Sequence, residues 1–148
     1  MIILYELITP HSKLPEKATL GSVGYDLFSV EDVTLLPGKR AVIGTGIVLD
    51  LKLSPPGSDV TIRPRSGLAA KHGVTVLNSP GTIDRDYLGE LKVILINHGE
   101  ETYYVRIGDR IAQLVTGSTS AAVFFPVHGP IDSDTTKRGA GGFGSTGY

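Results

Sequence analysis

The sequence contains no cysteine among its 148 residues, which excludes disulfide bridges and thiolate metal sites. It also has no excess of charge: 14 basic and 15 acidic residues give a formal net charge of −1, which argues against a nucleic-acid partner. No apolar run approaches the roughly 20 residues of a membrane span, and the opening MIILYELITP lacks the basic segment of a signal peptide. We therefore expect a cytoplasmic protein with no membrane partner, or a nuclear one if its source is eukaryotic or viral.

Glycine and proline, by contrast, are abundant: 19 glycines and 9 prolines separate short segments rich in β-branched residues. Their spacing of about eight to twelve residues is typical of β-sandwiches and barrels. The length suits one domain, which we place at residues 1–137, followed by a flexible arm at 138–148. We expect strands within residues 3–8, 41–51, 59–65, 74–78, 82–87, 89–97, 102–107, 110–115 and 121–127.

Residues 66–73, SGLAAKHG, form the one segment that predicts a helix, with Ser66 as N-cap and Gly73 as left-handed C-cap. N–H groups at the start of a helix attract anions, and Arg65 adds a charged donor beside them. Arg65, Ser66 and Gly67 are therefore a candidate phosphate site. The alternative is a capped surface helix beside an incidental arginine.

Turn sequences predict two hairpins. Residues 79–82, Ser-Pro-Gly-Thr, fit a type II turn between the strands at 74–78 and 82–87. The loop HGEE, 98–101, would join the next two strands. Asp84 on the first hairpin could act as a general base, and Tyr87 could form the wall of a pocket. The alternative is a solvated hairpin with ordinary surface charges.

Two further polar residues stand out. Asp26 follows Gly24 in a turn-like sequence, where an aspartate usually bonds its own backbone; a role at a metal would require phosphates and water as further ligands. Gln113 lies in an apolar strand sequence three residues after Arg110. Its amide either bonds to the backbone or reaches a ligand.

The sequence ends in RGAGGFGSTGY, 138–148, in which five of eleven residues are glycine. Glycine loses more backbone freedom on ordering than any other residue, and chain ends usually fray. The segment is therefore either a disordered end or an arm that orders when a ligand binds.

Five stretches, taken in order, resemble the motifs of the trimeric dUTPase family, the dUTP diphosphatases. The third and fifth are long and specific. Val23 departs from the family, which usually has a smaller residue there, and residues 116–137 carry no motif. The matching stretches are SVGYDLFS (22–29), PRSGLA (64–69), GVTVLNSPGTIDRDYLGEL (73–91), GDRIAQLV (108–115) and RGAGGFGSTG (138–147).

The resemblance implies an all-β fold, a distorted jelly-roll β-barrel with one short helix near 66–72 and a glycine-rich C-terminal arm. It implies a homotrimer whose active sites are shared between subunits. It also implies Mg²⁺-dependent hydrolysis of dUTP to dUMP and pyrophosphate, which keeps uracil out of DNA and supplies dUMP for thymidylate synthesis.

The resemblance also implies roles for individual residues. Asp84 matches the residue that activates the attacking water, and Tyr87 the ring that packs under the deoxyribose. Asp26 matches a residue that holds the metal through water. The arm, implied to close over the site, contributes Arg138 to the γ-phosphate and Phe143 to the uracil ring. The remaining implied substrate contacts are Asn78, Gly81 and Ile83 at the uracil, and Ser66, Arg65, Gly67, Gln113, Gly144, Ser145 and Thr146, mostly at the phosphates.

Two alternative functions are compatible with the same fold. A dCTP deaminase would require a different second motif, which PRSGLA fits poorly. A non-catalytic trimeric module for nucleotide binding or signalling would be favoured by loss of Asp84 or of the arm sequence. Both are present.

Overall fold

The computed structural model describes residues 1–126 and 129. In this part of the chain, strands alternate with turns and a single short helix is formed, as predicted. No helix in the described part has the length and apolar character needed to cross a membrane. The elements are β1 (Leu4–Leu7), β2 (Tyr25–Phe28), β3 (Val33–Leu35), β4 (Arg40–Asp50), β5 (Ser58–Arg63), α1 (Ser66–His72), β6 (Val74–Val76), β7 (Gly81–Ile83), β8 (Glu90–Asn97), β9 (Tyr103–Val105) and β10 (Arg110–Ser118).

The strands form two four-stranded antiparallel sheets, with orders β1-β4-β8-β6 and β2-β10-β5-β7, and a β3-β9 ribbon. Apolar side chains from both sheets pack into one core. Neighbours within a sheet are mostly distant in sequence, as expected of a jelly roll. The predicted jelly-roll fold is confirmed. Core residues at most 1% exposed include Leu27, Ile43, Val60, Leu95 and Ile111.

The helix is formed where predicted, but its N-cap is Arg65 and not Ser66. Arg65 has an extended backbone (φ −93°, ψ 125°), and its carbonyl accepts the N–H groups of Leu68 and Ala69, each at 3.1 Å. No side chain in the described part of the chain forms a capping hydrogen bond at this end. The left-handed C-cap at Gly73 is confirmed, with φ 65°.

Both predicted hairpins are wrong. β6 pairs with β8 and β7 pairs with β5, so the segment between them crosses from one sheet to the other. The Ser79–Pro80 peptide bond in this segment is cis. β9 pairs with β3 and not with β8. Local turn sequences do not reveal these partners, because burial of apolar faces against distant strands selects them.

The loop after β8 is fixed by the buried side chain of Asn97. Its Nδ2 donates to Leu35 O at 2.9 Å and to Glu101 O at 2.8 Å, and its Oδ1 accepts from Gly99 N at 2.8 Å. These bonds direct the chain towards β3. At the other end of the chain, β10 continues to Ser118, and the strand predicted at 121–127 is not formed within 121–126.

Replacing Asn97 with alanine should lower the free energy of unfolding by about 2–3 kcal/mol, because two carbonyls and one N–H lose their partner. Urea denaturation at fixed protein concentration measures this loss. His98→Ala is the control, since the neighbouring His98 is exposed; surface substitutions of this kind change stability by about 0.5 kcal/mol or less. Equal losses in the two variants would contradict the assignment.

Candidate functional site

A cleft of about 290 Å³ lies between the loop at 18–24, β2, β10 and the start of α1. It brings together five of the residues that the sequence singled out, although they come from three separate motifs. The lining residues are Ala18, Ser22, Val23, Gly24, Asp26, Arg65, Ser66, Gly67 and Gln113.

The register of β10 explains this convergence. Gln113 on β10 is paired with Asp26 on β2 and with Arg63 on β5, so the three lie in one row across the sheet. Arg65 lies two residues after the end of β5 and is the N-cap of the helix. This arrangement places the Asp26 carboxylate, the Gln113 amide and Arg65 at one end of the sheet.

Asp26, only 9% exposed, lies between two arginines. Its Oδ1 accepts from Arg65 Nε at 2.9 Å, and its Oδ2 accepts from Arg110 Nη1 at 3.3 Å. Arg65 Nη1 also donates to Arg110 O at 3.2 Å. One carboxylate against two guanidinium groups leaves a local charge of about +1, which favours an anion in the cleft. Nearby, burial raises the pKa of the Tyr103 hydroxyl, the Asp109 carboxylate adds to this shift, and Arg65 opposes it.

Arg110 belongs to this cluster, although its sequence context predicts no role for it. A β-bulge between Arg110 and Ala112 shifts the register with β2. Strict alternation therefore does not predict where the Arg110 side chain lies. The only sequence signal was its position three residues before Gln113.

Gln113 bonds to the backbone and also lines the cleft. Its Nε2 donates to Pro64 O at 2.8 Å. Its Oε1 lies where a side chain on Gly24 would begin, since a Cβ added there would be 2.1 Å away. Gly24 therefore provides the space that Gln113 occupies. A Cβ added to Gly67, by contrast, would meet no atom of the described residues within 4 Å, so packing within that part of the chain does not explain this glycine.

The residues of the third motif form a second group on β7 and the turn after it. Gly81 is buried, and a Cβ added to it would lie 3.2 Å from Asn78 Nδ2. Strand β7 ends at Ile83, so the strand predicted at 82–87 is formed only at its first two residues. Asp84 O accepts from Tyr87 N at 3.1 Å in a turn. The Asp84 carboxylate is exposed, with no ion-pair or hydrogen-bond partner among the described residues.

The two groups lie at opposite edges of one sheet. Among the described strands, β2 and β7 form the two edges of this sheet, so three strand spacings, roughly 14 Å, separate Asp26 from β7. Ile83 is paired with Val60, three residues along β5 from Arg63 in the Asp26 row, which adds roughly 10 Å. None of the residues 78–87 lines the cleft. The implied arm contacts, Arg138, Phe143, Gly144, Ser145 and Thr146, lie outside the described residues.

Comparisons with known proteins agree with one another. The sequence model of the dUTPase family matches residues 10–147. The deoxyuridine 5'-triphosphate nucleotidohydrolase of Ehrlichia canis is 52% identical, over 99% of this chain and 95% of the relative. That of Nautilia profundicola is 51% identical, over 90% of each chain.

Solved structures show the same fold. The dUTPase of Staphylococcus bacteriophage 80alpha, solved with dUpNHpp, superposes with a TM-score of 0.85 and 26% identity, over 99% of each chain. A point variant of the dUTPase of Staphylococcus aureus phage phi11, whose structure describes the coordination of a structural Mg(II) ion, gives a TM-score of 0.77 at 24% identity, over 87% of this chain and 98% of that one. From the family match and the closely similar bacterial relatives, both spanning most of the sequence, it follows that the chain belongs to the dUTPase family and is a dUTP diphosphatase.

Proposed function

We propose that each active site is formed by more than one copy of the chain. The cleft of one copy binds the triphosphate, and residues 78–87 of another copy bind the deoxyuridine and supply the catalytic carboxylate. The observation that carries this proposal is the position of the two groups at opposite edges of the β2-β10-β5-β7 sheet. The third-motif edge is the edge of this sheet formed by β7, with residues 78–87. A second copy brings this edge to the cleft without distorting either group. A closed trimer with three equivalent sites satisfies this geometry.

The cleft suits polyphosphate through its charge and its donors. Arg65 donates from Nε to the Asp26 carboxylate and from Nη1 to Arg110 O. Its Nη2 is therefore left without a partner among the described residues. The Ser66 hydroxyl and the backbone at Gly67 supply further donors at the start of α1. Open space beside Gly67 lets a phosphate oxygen approach the main chain.

The residues of the cleft fit a magnesium ion that arrives with the triphosphate, and not a preformed metal cage. Among the described residues, no group of three or more acidic or histidine side chains could hold a metal. Asp26 already accepts from two arginines, yet each carboxylate oxygen keeps a lone pair for a metal-bound water. Mg²⁺ held by phosphate oxygens and water would neutralise part of the triphosphate charge.

At the third-motif edge, the segment with Asn78, Gly81 and Ile83 would read uracil through main-chain groups. The donor and acceptor order of uracil differs from that of cytosine, and an unmatched buried group would penalise the wrong base. Tyr87 would pack against the deoxyribose and exclude a 2′-hydroxyl. The Asp84 carboxylate would accept a proton from the water that attacks the α-phosphate in line.

We further propose that residues 138–148 form an arm that closes over the bound nucleotide, beyond a domain at 1–137. Phe143 would stack on uracil, and Arg138, Gly144, Ser145 and Thr146 would contact phosphates. The family match extends through this sequence, to residue 147. We also place the enzyme in the cytoplasm, because the relatives that are about half identical to it are bacterial.

Asp84→Asn should abolish turnover and leave nucleotide binding intact, because the amide keeps the size of the carboxylate but does not accept the proton. Pyrophosphate release from dUTP measures turnover, and the same assay with dCTP, dTTP or UTP measures the specificity for dUTP. Calorimetry with a non-hydrolysable analogue measures binding. Asp86→Asn is the matched control two residues away. Turnover within about tenfold of the parent enzyme would contradict the role of Asp84.

Mixed assemblies test the shared site. Arg65→Ala and Asp84→Asn chains should each be inactive alone. Refolded together in equal amounts, they should regain about a quarter of the parent activity, since about a quarter of all sites in random assemblies take an intact Arg65 from one subunit and an intact Asp84 from another. Mixing each variant with itself is the control. No recovery, in assemblies shown to contain both chains, would place the whole site within one chain.

Removing residues 138–148 should leave the melting temperature nearly unchanged and sharply lower kcat/KM, because a closing arm supplies stacking, charge and water exclusion. Amide hydrogen exchange should show protection of the arm only when analogue and Mg²⁺ are present. Phe143→Ala should reproduce part of the loss, and Phe143→Trp should retain most activity. Equal exchange in both states together with an unchanged kcat/KM would leave the arm without a catalytic role.

A further inference from the structure

The aromatic ring of Tyr87 lies against the backbone of Gly89. A Cβ added to Gly89 would be 2.6 Å from the ring Cζ, 2.6 Å from the hydroxyl oxygen and 2.9 Å from Cε2. The hydroxyl donates to Glu90 O at 2.9 Å. The ring therefore fills the space that a side chain at position 89 would require.

Backbone conformation does not explain the glycine at this position. Gly89 is not among the glycines with positive φ, in contrast to Gly73 with φ 65°. The three heavy atoms nearest to an added Cβ all belong to the far end of the Tyr87 side chain. An alanine could therefore adopt the backbone here, but only if the ring moved away.

The acceptor that holds the Tyr87 hydroxyl belongs to a rigid part of the fold. Glu90 begins β8 and is paired with Val48 on β4. Its Oε1 accepts from Gly46 N at 2.9 Å, and its Oε2 forms an ion pair with Lys92 Nζ at 3.4 Å. With Glu90 fixed on the sheet, the position of the ring depends on the space that Gly89 leaves beside it.

We propose that Gly89 is a specificity-determining residue that positions Tyr87 against the sugar. By leaving space beneath the ring, it lets the hydroxyl reach Glu90 O and sets the distance between the ring and the deoxyribose. A larger residue displaces the ring, and the wall that excludes a 2′-hydroxyl is no longer held in place. This inference rests on the proposed role of Tyr87 in sugar selection.

The test is the ratio of kcat/KM for dUTP to kcat/KM for UTP in Gly89→Ala, Tyr87→Ala and the double variant. Each single substitution should lower the ratio at least about tenfold. The double variant should match Tyr87→Ala, because residue 89 has no ring left to position. Gly117→Ala is the control, since its added Cβ would make only an ordinary contact, 3.5 Å from Asp59 Oδ2.

The outcomes separate the two proposals. If Tyr87→Ala lowers the ratio and a folded Gly89→Ala does not, the inference about Gly89 is wrong. If Tyr87→Ala leaves the ratio unchanged, the proposed role of Tyr87 itself is wrong. If Gly89→Ala fails to fold, the double variant decides: recovery of folded protein supports the contact with the ring, and failure of both overturns it.

Discussion

The site depends first on the register of β10 between β2 and β5. Because side chains alternate along a strand, a shift of one residue would exchange Gln113 with Leu114 and expose core residues. β10 is hydrogen-bonded on both sides, so such a shift would break two ladders at once. The register that buries the apolar face therefore also fixes the row of Asp26, Gln113 and Arg63.

On this row, Asp26 organises the charges. A nearly buried carboxylate is costly without partners, and the two arginines beside it supply them. Because two arginines face one carboxylate, the cluster keeps a net positive charge and attracts an anion. Arg65 has a backbone role as well, since its carbonyl begins the helix whose first residues line the cleft. The fold and the candidate phosphate site therefore share the same residue.

Glycines in the motifs serve two different purposes. Gly24 and Gly89 leave space that another side chain of the same chain occupies, Gln113 in one case and Tyr87 in the other. Gly67 leaves space that none of the described residues occupies. The first kind positions functional side chains, whereas the second keeps the backbone accessible from the cleft. Sequence alone does not distinguish the two kinds of glycine, because the difference lies in contacts that form only on folding. Gly24 meets a residue far away in the sequence, and Gly89 meets the ring of Tyr87, which folds back over it.

The sequence by itself determined the all-β class, the short helix at 66–72 with its Gly73 cap and the dUTPase family, because spacing, turn chemistry and ordered motifs are local properties. It did not determine which strands pair: the predicted β6–β7 and β8–β9 hairpins are replaced by pairings between distant strands. It also did not reveal that Arg110 joins Asp26, since a bulge breaks the alternation there, or that the third motif lies across the sheet from the cleft. Only the tertiary structure decided these points, because burial of the two apolar faces in one core selects partners and register from the whole chain at once.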